Sequence, residues 1–251
     1  MGHVVVPCYH AVSATWDADL SVTPDRLERQ LDHFARRGYH SVRFSEAIEA
    51  PPEPRVVAIT FDDAFRSVYD IAFPMMQRLR MTGTVFVPTA WPGRDEPMTW
   101  AGIDHWTGGP HEPELACMSW DQLRELHDAG WEIAAHTHTH PHLTQVDDAT
   151  LAEELGRSRE ICADGVGAPC TSLAYPYGDY DERVVAATGA AGFTYAATLK
   201  ASIPDPRPLA WPRVGIYYGD VDWRWRVKLS PLVNSLRASR LGDAVDRVRG
   251  V

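Results

Sequence analysis

Two aspartates stand side by side at Asp62 and Asp63, and four histidines fall within the seven residues His136-Thr-His-Thr-His-Pro-His142. These residue types hold divalent cations and move protons. Neighbouring carboxylates repel, so both stay ionised only beside a cation or hydrogen-bond donors. Successive side chains of a strand point in different directions, so one carboxylate can face an ion while the other faces a substrate. Capping a following helix is the other role open to this pair. On an extended strand His136 and His140 would lie about 13 Å apart at roughly 3.3 Å per residue, too far to share an ion. On a helical turn they become neighbours about 5–6 Å apart at Cβ, within reach of one ion. The spacing predicts that a strand ends near His136 and the chain coils there. With Asp63 this makes a 2-His-1-carboxylate set with open coordination positions. His138 and His142 fall outside that set, as flanking or surface groups.

These residues need elements that deliver them to one place. Strand patterns read at Val4–Tyr9, Val56–Phe61, Thr84–Pro88, Ile133–Ala135, Ser172–Tyr175, Phe193–Ala197 and Pro212–Tyr217. Helical patterns read at Pro24–Gly38 with Thr23 as cap, Val68–Leu79, Trp120–Gly130 capped by Ser119, Asp148–Cys162 and Asp181–Gly189. Repeated strand-then-helix units predict a parallel sheet, and about seven of them in one chain suit a single-domain α/β barrel. Residues 89–118 break the rhythm with Trp91, Trp100, Trp106 and several prolines, an insertion of a length that is often functional. In parallel α/β folds chemistry collects at the carboxyl ends of the strands. Asp62 and Asp63, His136, Pro176-Tyr-Gly178 and His10 all follow strands.

The chain has 251 residues, 45% of them hydrophobic and 23% charged, with a formal net charge of −10. That composition excludes a disordered chain. The charge argues against nucleic acid as a partner, and no apolar run reaches the roughly 18–20 residues of a membrane-spanning helix. The stretch 224–251 runs the other way, with seven Arg and Lys against two Asp. It reads as a basic helical tail after a barrel of residues 1–223, either a solvated face or a contact for a partner or anionic surface. Cys8, Cys117, Cys162 and Cys170 form no CxxC pair. With no export-signal pattern at Met1–Cys8, these suggest a reduced, cytoplasmic protein.

Thr60-Phe-Asp-Asp-Ala-Phe65 resembles the TFDDG-type segment of polysaccharide deacetylases, the NodB-like carbohydrate esterases. His136-Thr-His-Thr-His140 is similar to their H-[ST]-x-x-H segment, and Ala174-Tyr-Pro-Tyr-Gly178 to their third segment. Order and spacing agree over roughly residues 3–217. The resemblance implies an irregular (β/α)7 barrel. It implies a divalent metal, zinc first and cobalt among the alternatives, on Asp63, His136 and His140. Asp62 is then the base that deprotonates the attacking metal-bound water, and the Tyr177 N–H supports the oxyanion. The implied reaction is deacetylation of an N-acetylated amino sugar or glycoconjugate; some relatives open cyclic amides instead. Tyr175, Pro176, Trp100 and Trp223 become candidate substrate contacts.

Three departures matter. Ala174 stands where many members carry an Arg that positions the catalytic Asp, and Arg213 on a later strand can supply that charge. Ala64 replaces a glycine. No late Leu-x-His segment is present, and no histidine follows His142. The general acid is then expected from His10, since Val4-Val-Val-Pro-Cys-Tyr-His10 resembles the N-terminal Tyr-His segment of the branch acting on poly-N-acetylglucosamine. A non-heme iron oxygenase shares the ligand set, and a catalytically inactive carbohydrate-binding barrel is the remaining alternative.

Overall fold

The computed structural model describes residues 4–49, 55–200, 203 and 206–230. Seven strands form one parallel sheet: β1 (Pro7–Tyr9), β2 (Ile59–Phe61), β3 (Gly83–Val87), β4 (Glu132–Ala135), β5 (Ser172–Ala174), β6 (Tyr195–Ala197) and β7 (Val214–Gly215). Their order is β6-β5-β4-β3-β2-β1-β7. β7 pairs with β1 through Pro7↔Val214, and three residues upstream Trp211 pairs in parallel with Ala197 of β6. The Thr198 N–H donates to the Trp211 carbonyl and the Ile216 N–H to the Cys8 carbonyl. One segment therefore bonds both edges and closes the sheet into the irregular (β/α)7 barrel that the sequence implies. The expected Val56–Phe61 strand is split at Ala58: Val56–Val57 pairs outward with His40–Ser41, and only Ile59–Phe61 enters the main sheet.

Helices α1 (Pro24–Arg36), α2 (Phe44–Glu49), α3 (Phe73–Arg78), α4 (Trp120–Asp128), α5 (Asp148–Val166), α6 (Glu182–Ala190) and α7 (Asp222–Lys228) surround the sheet. Their starts follow local rules. The Thr23 side chain accepts from the Arg26 N–H with Pro24 in the first turn, and Ser119 and Gln122 cap α4 reciprocally. Asp147 accepts from the Thr150 N–H at α5, which runs four residues past the expected Cys162 end to Val166 and is closed by Gly167 in the left-handed conformation. The expected helix at Val68–Leu79 is not regular. Val68–Ala72 is a π turn whose Phe73 N–H reaches the Val68 carbonyl, and α3 continues from it. Pro74 has no N–H to give, and its ring crowds the carbonyl four residues back, so the ladder widens there.

Alternation along the strands fills the barrel. Phe86 and Phe44 pack with Val6, Ala58, Ala134, Ala174 and Ala197 in one small buried cluster. Below it, the Glu132 carboxylate accepts from the Ser45 N–H, Thr84 Oγ1 and Ser172 Oγ. The insertion is not loose: Met98, Ile103, Leu115 and Met118 are buried in the larger core outside the barrel. Helix α7 crosses the expected 223/224 boundary, with Trp225 buried against Phe34 and His33. Residues 231–251 of the expected tail lie outside the described residues. No helix among the described residues is long and apolar enough to cross a membrane.

Gly83 opens β3 where a side chain has no room. A Cβ there would stand 2.8 Å from the Trp131 ring and 3.1 Å from the Ile59 carbonyl oxygen. Trp131 is fully buried. Gly83→Ala is expected to lower stability by about 1–3 kcal/mol through overpacking. A denaturation midpoint unchanged by circular dichroism would show that the indole yields freely.

Candidate metal centre

The rim of the barrel inherits its chemistry from the two-residue period of its strands. Val6, Ala58 and Ala134 belong to the inner cluster. Steps of two from them lead to His10 by way of Cys8, to Asp62 by way of Thr60, and to His136 directly. All three reach the same end of the barrel, and all are buried. The Asp62 N–H donates to the Tyr9 carbonyl at 2.9 Å, so the carboxylate leaves the sheet in register. Asp63 and Ala64 follow with φ of 69° and 53°. This left-handed pair turns the chain sharply and sets Asp63 on its own side of the site. Neither aspartate caps a helix, because helical structure begins only beyond Phe65.

The histidine segment coils, as its spacing demands, but not as a helical turn. Thr137 and His140 both have positive φ, 63° and 64°, and the His140 N–H donates to Thr137 Oγ1 at 3.1 Å. Glu154 of α5, 7% exposed, pins the turn from beneath. Its carboxylate accepts from the N–H groups of His138 and Thr139 at 2.8 Å each and from Thr139 Oγ1 at 2.6 Å. Sequence reading missed Glu154. The available signal was a carboxylate at helical spacing among Leu151, Leu155 and Cys162 on the buried face of α5.

The structure brings Asp63, His136 and His140 together. Asp63 Oδ1 lies 3.4 Å from Nε2 of each imidazole, and the three ligating atoms sit within 4.8 Å of one another. His136 Nδ1–H donates to the Ala174 carbonyl at 2.8 Å, which leaves the Nε2 lone pair for the centre. Burial disfavours protonation of both rings. For His140 it prevails and pulls the pKa down to about 3, whereas for His136 the Asp62 and Asp63 charges outweigh it and hold the pKa above its ordinary value. Asp63 Oδ1 has no hydrogen-bond partner although fully buried. An orphaned carboxylate oxygen facing two imidazole nitrogens fits a divalent ion with further positions open to water or substrate.

Asp62 has a different partner. Arg213, entirely buried, donates from Nη1 to Oδ1 at 2.6 Å and from Nη2 to Oδ2 at 2.7 Å. Its Nε and Nη1 also reach the Thr198 carbonyl and Thr60 Oγ1. Burial alone would raise the Asp62 pKa, but the guanidinium overrides it and holds the carboxyl well below the usual range. Cys8 Sγ donates to Asp62 Oδ2 at 3.4 Å, and ligating atoms of Cys8, His10 and Asp62 also lie within 4.8 Å of one another. Both Asp62 oxygens are already engaged by Arg213, which leaves this second group poorly suited to a cation. His10 sits beside it with Nδ1 buried and unpartnered, and burial lowers its pKa.

The remaining candidates divide. Tyr177, with φ of 59°, borders the centre: its ring meets His140 at 4.8 Å and stacks on His142 at 3.8 Å. Trp100 of the insertion stacks on His140 at 4.3 Å. The Tyr175 ring is fully buried, and its hydroxyl donates to the Leu209 carbonyl. Pro176 is buried beside it in the turn after β5. Trp223 lies on α7, 64% exposed, in a groove with Arg26, Arg29 and Arg226. The structure thus gathers Asp62, Asp63, His10, His136, His140, Arg213, Tyr177 and Trp100, and leaves the Tyr175 ring and Trp223 outside that group.

Residues 49–196 match the polysaccharide deacetylase family. The chain belongs to this family. It is 23% identical over 197 residues to the Bacillus subtilis protein YxkH, named for polysaccharide deacetylation, covering 76% of this chain and 63% of YxkH. It is 25% identical over 171 residues to the poly-beta-1,6-N-acetyl-D-glucosamine N-deacetylase of Staphylococcus aureus, covering 64% of this chain and 54% of the relative. The chain therefore spans little more than half to under two thirds of the length of these relatives. Among solved structures, the Streptococcus pyogenes deacetylase PplD in complex with acetate superposes with a TM-score of 0.73 at 20% identity, over 91% of this deacetylase-family chain and 98% of PplD, which shows the common fold.

The Asp62–Arg213 pair sets a pH dependence. A carboxyl whose folded pKa is depressed contributes stability above its unfolded value, about 3.9, and loses it as pH falls through the folded value. In Arg213→Leu the buried carboxyl has no such partner, its pKa rises, and taking up a proton relieves the variant as pH falls. The gap in melting temperature between the two proteins is therefore expected to be widest near neutral pH, with a loss of about 3–5 kcal/mol, and to narrow toward pH 4. A gap constant from pH 7 to 4 would exclude this electrostatic account.

Proposed function

We propose that this protein is a divalent-metal-dependent hydrolase that removes the acetyl group from an N-acetylated amino sugar within a glycan or glycoconjugate. One observation carries the reading: adjacent aspartates are given opposite tasks, Asp63 facing two imidazoles and Asp62 held in an ion pair by Arg213. Metal binding needs the first, hydrolysis the second. The family and the Staphylococcus aureus relative named for poly-N-acetylglucosamine deacetylation support the substrate class.

Asp63, His136 and His140 would hold the ion, with zinc or cobalt suited to this donor set. Such an ion acidifies a bound water and polarises an acyl oxygen. Asp62 takes a proton from the attacking water; its depressed pKa keeps it ionised and ready to accept, and Arg213 fixes its two oxygens in place. Water adds to the acyl carbon, the C–N bond breaks, and acetate and a free amine leave. The amine nitrogen needs a proton at that moment. His10, the residue that follows strand β1, supplies it from its protonated form, which the Asp63 and Asp62 charges favour against burial. The Tyr177 N–H, at the turn after β5, supports the charge that develops on the acyl oxygen. An oxygenase with the same ligands has no evident use for a carboxylate held in this way.

Acetate release from short β-1,6-linked N-acetylglucosamine oligomers, measured with added zinc or cobalt, tests the reading beside a cyclic amide and an oxygen-uptake assay with ferrous iron. Chelation is expected to abolish release and metal to restore it. Activity that survives chelator, or confined to the cyclic amide or to oxygen uptake, would replace this function with another. His10→Ala and Asp62→Asn are each expected to lower turnover by about 10²–10⁴-fold with metal content by elemental analysis unchanged. Wild-type rates in His10→Ala would remove that residue from the acid role.

A further inference from the structure

We propose that Trp100 is a positioning residue of the metal centre: its indole, with the Tyr177 ring, sets the plane of the His140 imidazole, and it governs cation binding rather than sugar binding. This rests on the reading that Asp63, His136 and His140 hold a divalent ion. The two imidazoles of that triad are held in different ways. His136 donates Nδ1–H to the Ala174 carbonyl at 2.8 Å. Ligating histidines ordinarily donate their second N–H in this way, which fixes tautomer and ring orientation. His140 makes no such bond, and its Nδ1 is buried without a hydrogen-bond partner. Its backbone is pinned through Thr137 Oγ1, yet apart from the 3.4 Å approach of Asp63 Oδ1 to Nε2 no hydrogen bond restrains rotation of its ring.

Aromatic surfaces supply the missing restraint. Trp100 lies nearly flat on the imidazole, with centroids 4.3 Å apart and planes at 24°. Tyr177 meets the same ring edge-on at 4.8 Å and 70°. The two jaws are latched to each other, because the Tyr177 hydroxyl donates to the carbonyl of Ala101, the residue after Trp100, at 3.0 Å. Each jaw is also backed: Trp91 stands against Trp100 at 5.9 Å, and His142 covers Tyr177 at 3.8 Å. The indole face turned to His140 is occupied and gives a sugar ring no platform. The insertion 89–118 thereby gains a purpose, to carry one jaw of the clamp to the rim.

The test uses the full chain as wild type and as Trp100→Ala, Trp100→Leu and Trp100→Phe, stripped of metal and titrated with cobalt(II). Binding constants, the visible cobalt spectrum and the KM for N-acetylglucosamine oligomers at saturating metal are read together. Loss of the flat ring in Ala and Leu is expected to weaken cobalt binding about 10–100-fold, as for other groups that orient a ligand, and to change the spectrum. Phe restores most of the affinity, and KM stays near wild type throughout. Should Ala fail to fold by circular dichroism, Leu, which fills space without a flat face, decides the matter. Wild-type affinity and spectrum in Leu, or a raised KM as the sole change, would overturn the clamp and make Trp100 a substrate contact. A wild-type chain that takes up no cobalt would overturn the metal reading itself, a failure distinguishable from the first because it appears before any variant is compared.

Discussion

The buried ion pair between Arg213 and Asp62 is the constraint on which the site depends. Stripping water from two opposite charges is costly, and the attraction between them offsets that cost only where geometry is close and every donor is used. Here the fork is bidentate, and two further guanidinium N–H groups reach the Thr198 carbonyl and Thr60 Oγ1. The guanidinium also lies over the Phe86 ring at 5.0 Å, so its underside rests on the apolar filling of the barrel. Arg213 belongs to the segment that joins both edges of the sheet. The orientation of Asp62 is consequently a property of the closed barrel rather than of the strand that bears it.

A second constraint acts at the backbone. Seven non-glycine residues among those described have positive φ, and five of them, Asp63, Ala64, Thr137, His140 and Tyr177, belong to the three turns around the candidate centre. Such conformations cost on the order of 1–3 kcal/mol each and persist only where the surroundings over-determine them. The surroundings are visible: Glu154 beneath the histidine turn, strand pairing beneath Asp62, and the Ala101 carbonyl holding Tyr177. Ala64 stands in the left-handed region where the family pattern has glycine, so this chain retains the turn without the residue that adopts it most cheaply.

Much of this was legible in the sequence. Strand-then-helix punctuation gave the parallel barrel, and the bare demand that one ion meet two histidines forced the chain to coil at His136. Arg213 was reachable as well, because Ala174 at the end of β5 takes the place of an arginine in the family pattern and left Asp62 in need of a cation from elsewhere. What escaped depends on distance through space. Glu154 reads as an ordinary helical glutamate until α5 is docked under the histidine turn. Trp100 reads as a sugar platform until its face is seen against His140. The π turn at Val68–Ala72 interrupts a segment whose apolar pattern is that of a regular helix, and Pro74 is the residue that marks the break. Tyr175 illustrates the opposite hazard: it lies within a matching segment, yet its ring serves the fold through the Leu209 carbonyl.

The closing segment also orders events during biosynthesis. Asp62 emerges from the ribosome 151 residues ahead of the arginine that will neutralise it. Until then its carboxylate has no reason to leave water, and a nascent chain that collapsed early would bury an uncompensated charge. Contacts of such sequence separation form late, after the entropy of a long loop has been surrendered. The Asp62–Arg213 pair is thus completed by the last stitch of the barrel, and in a partly made chain this carboxylate stays in water.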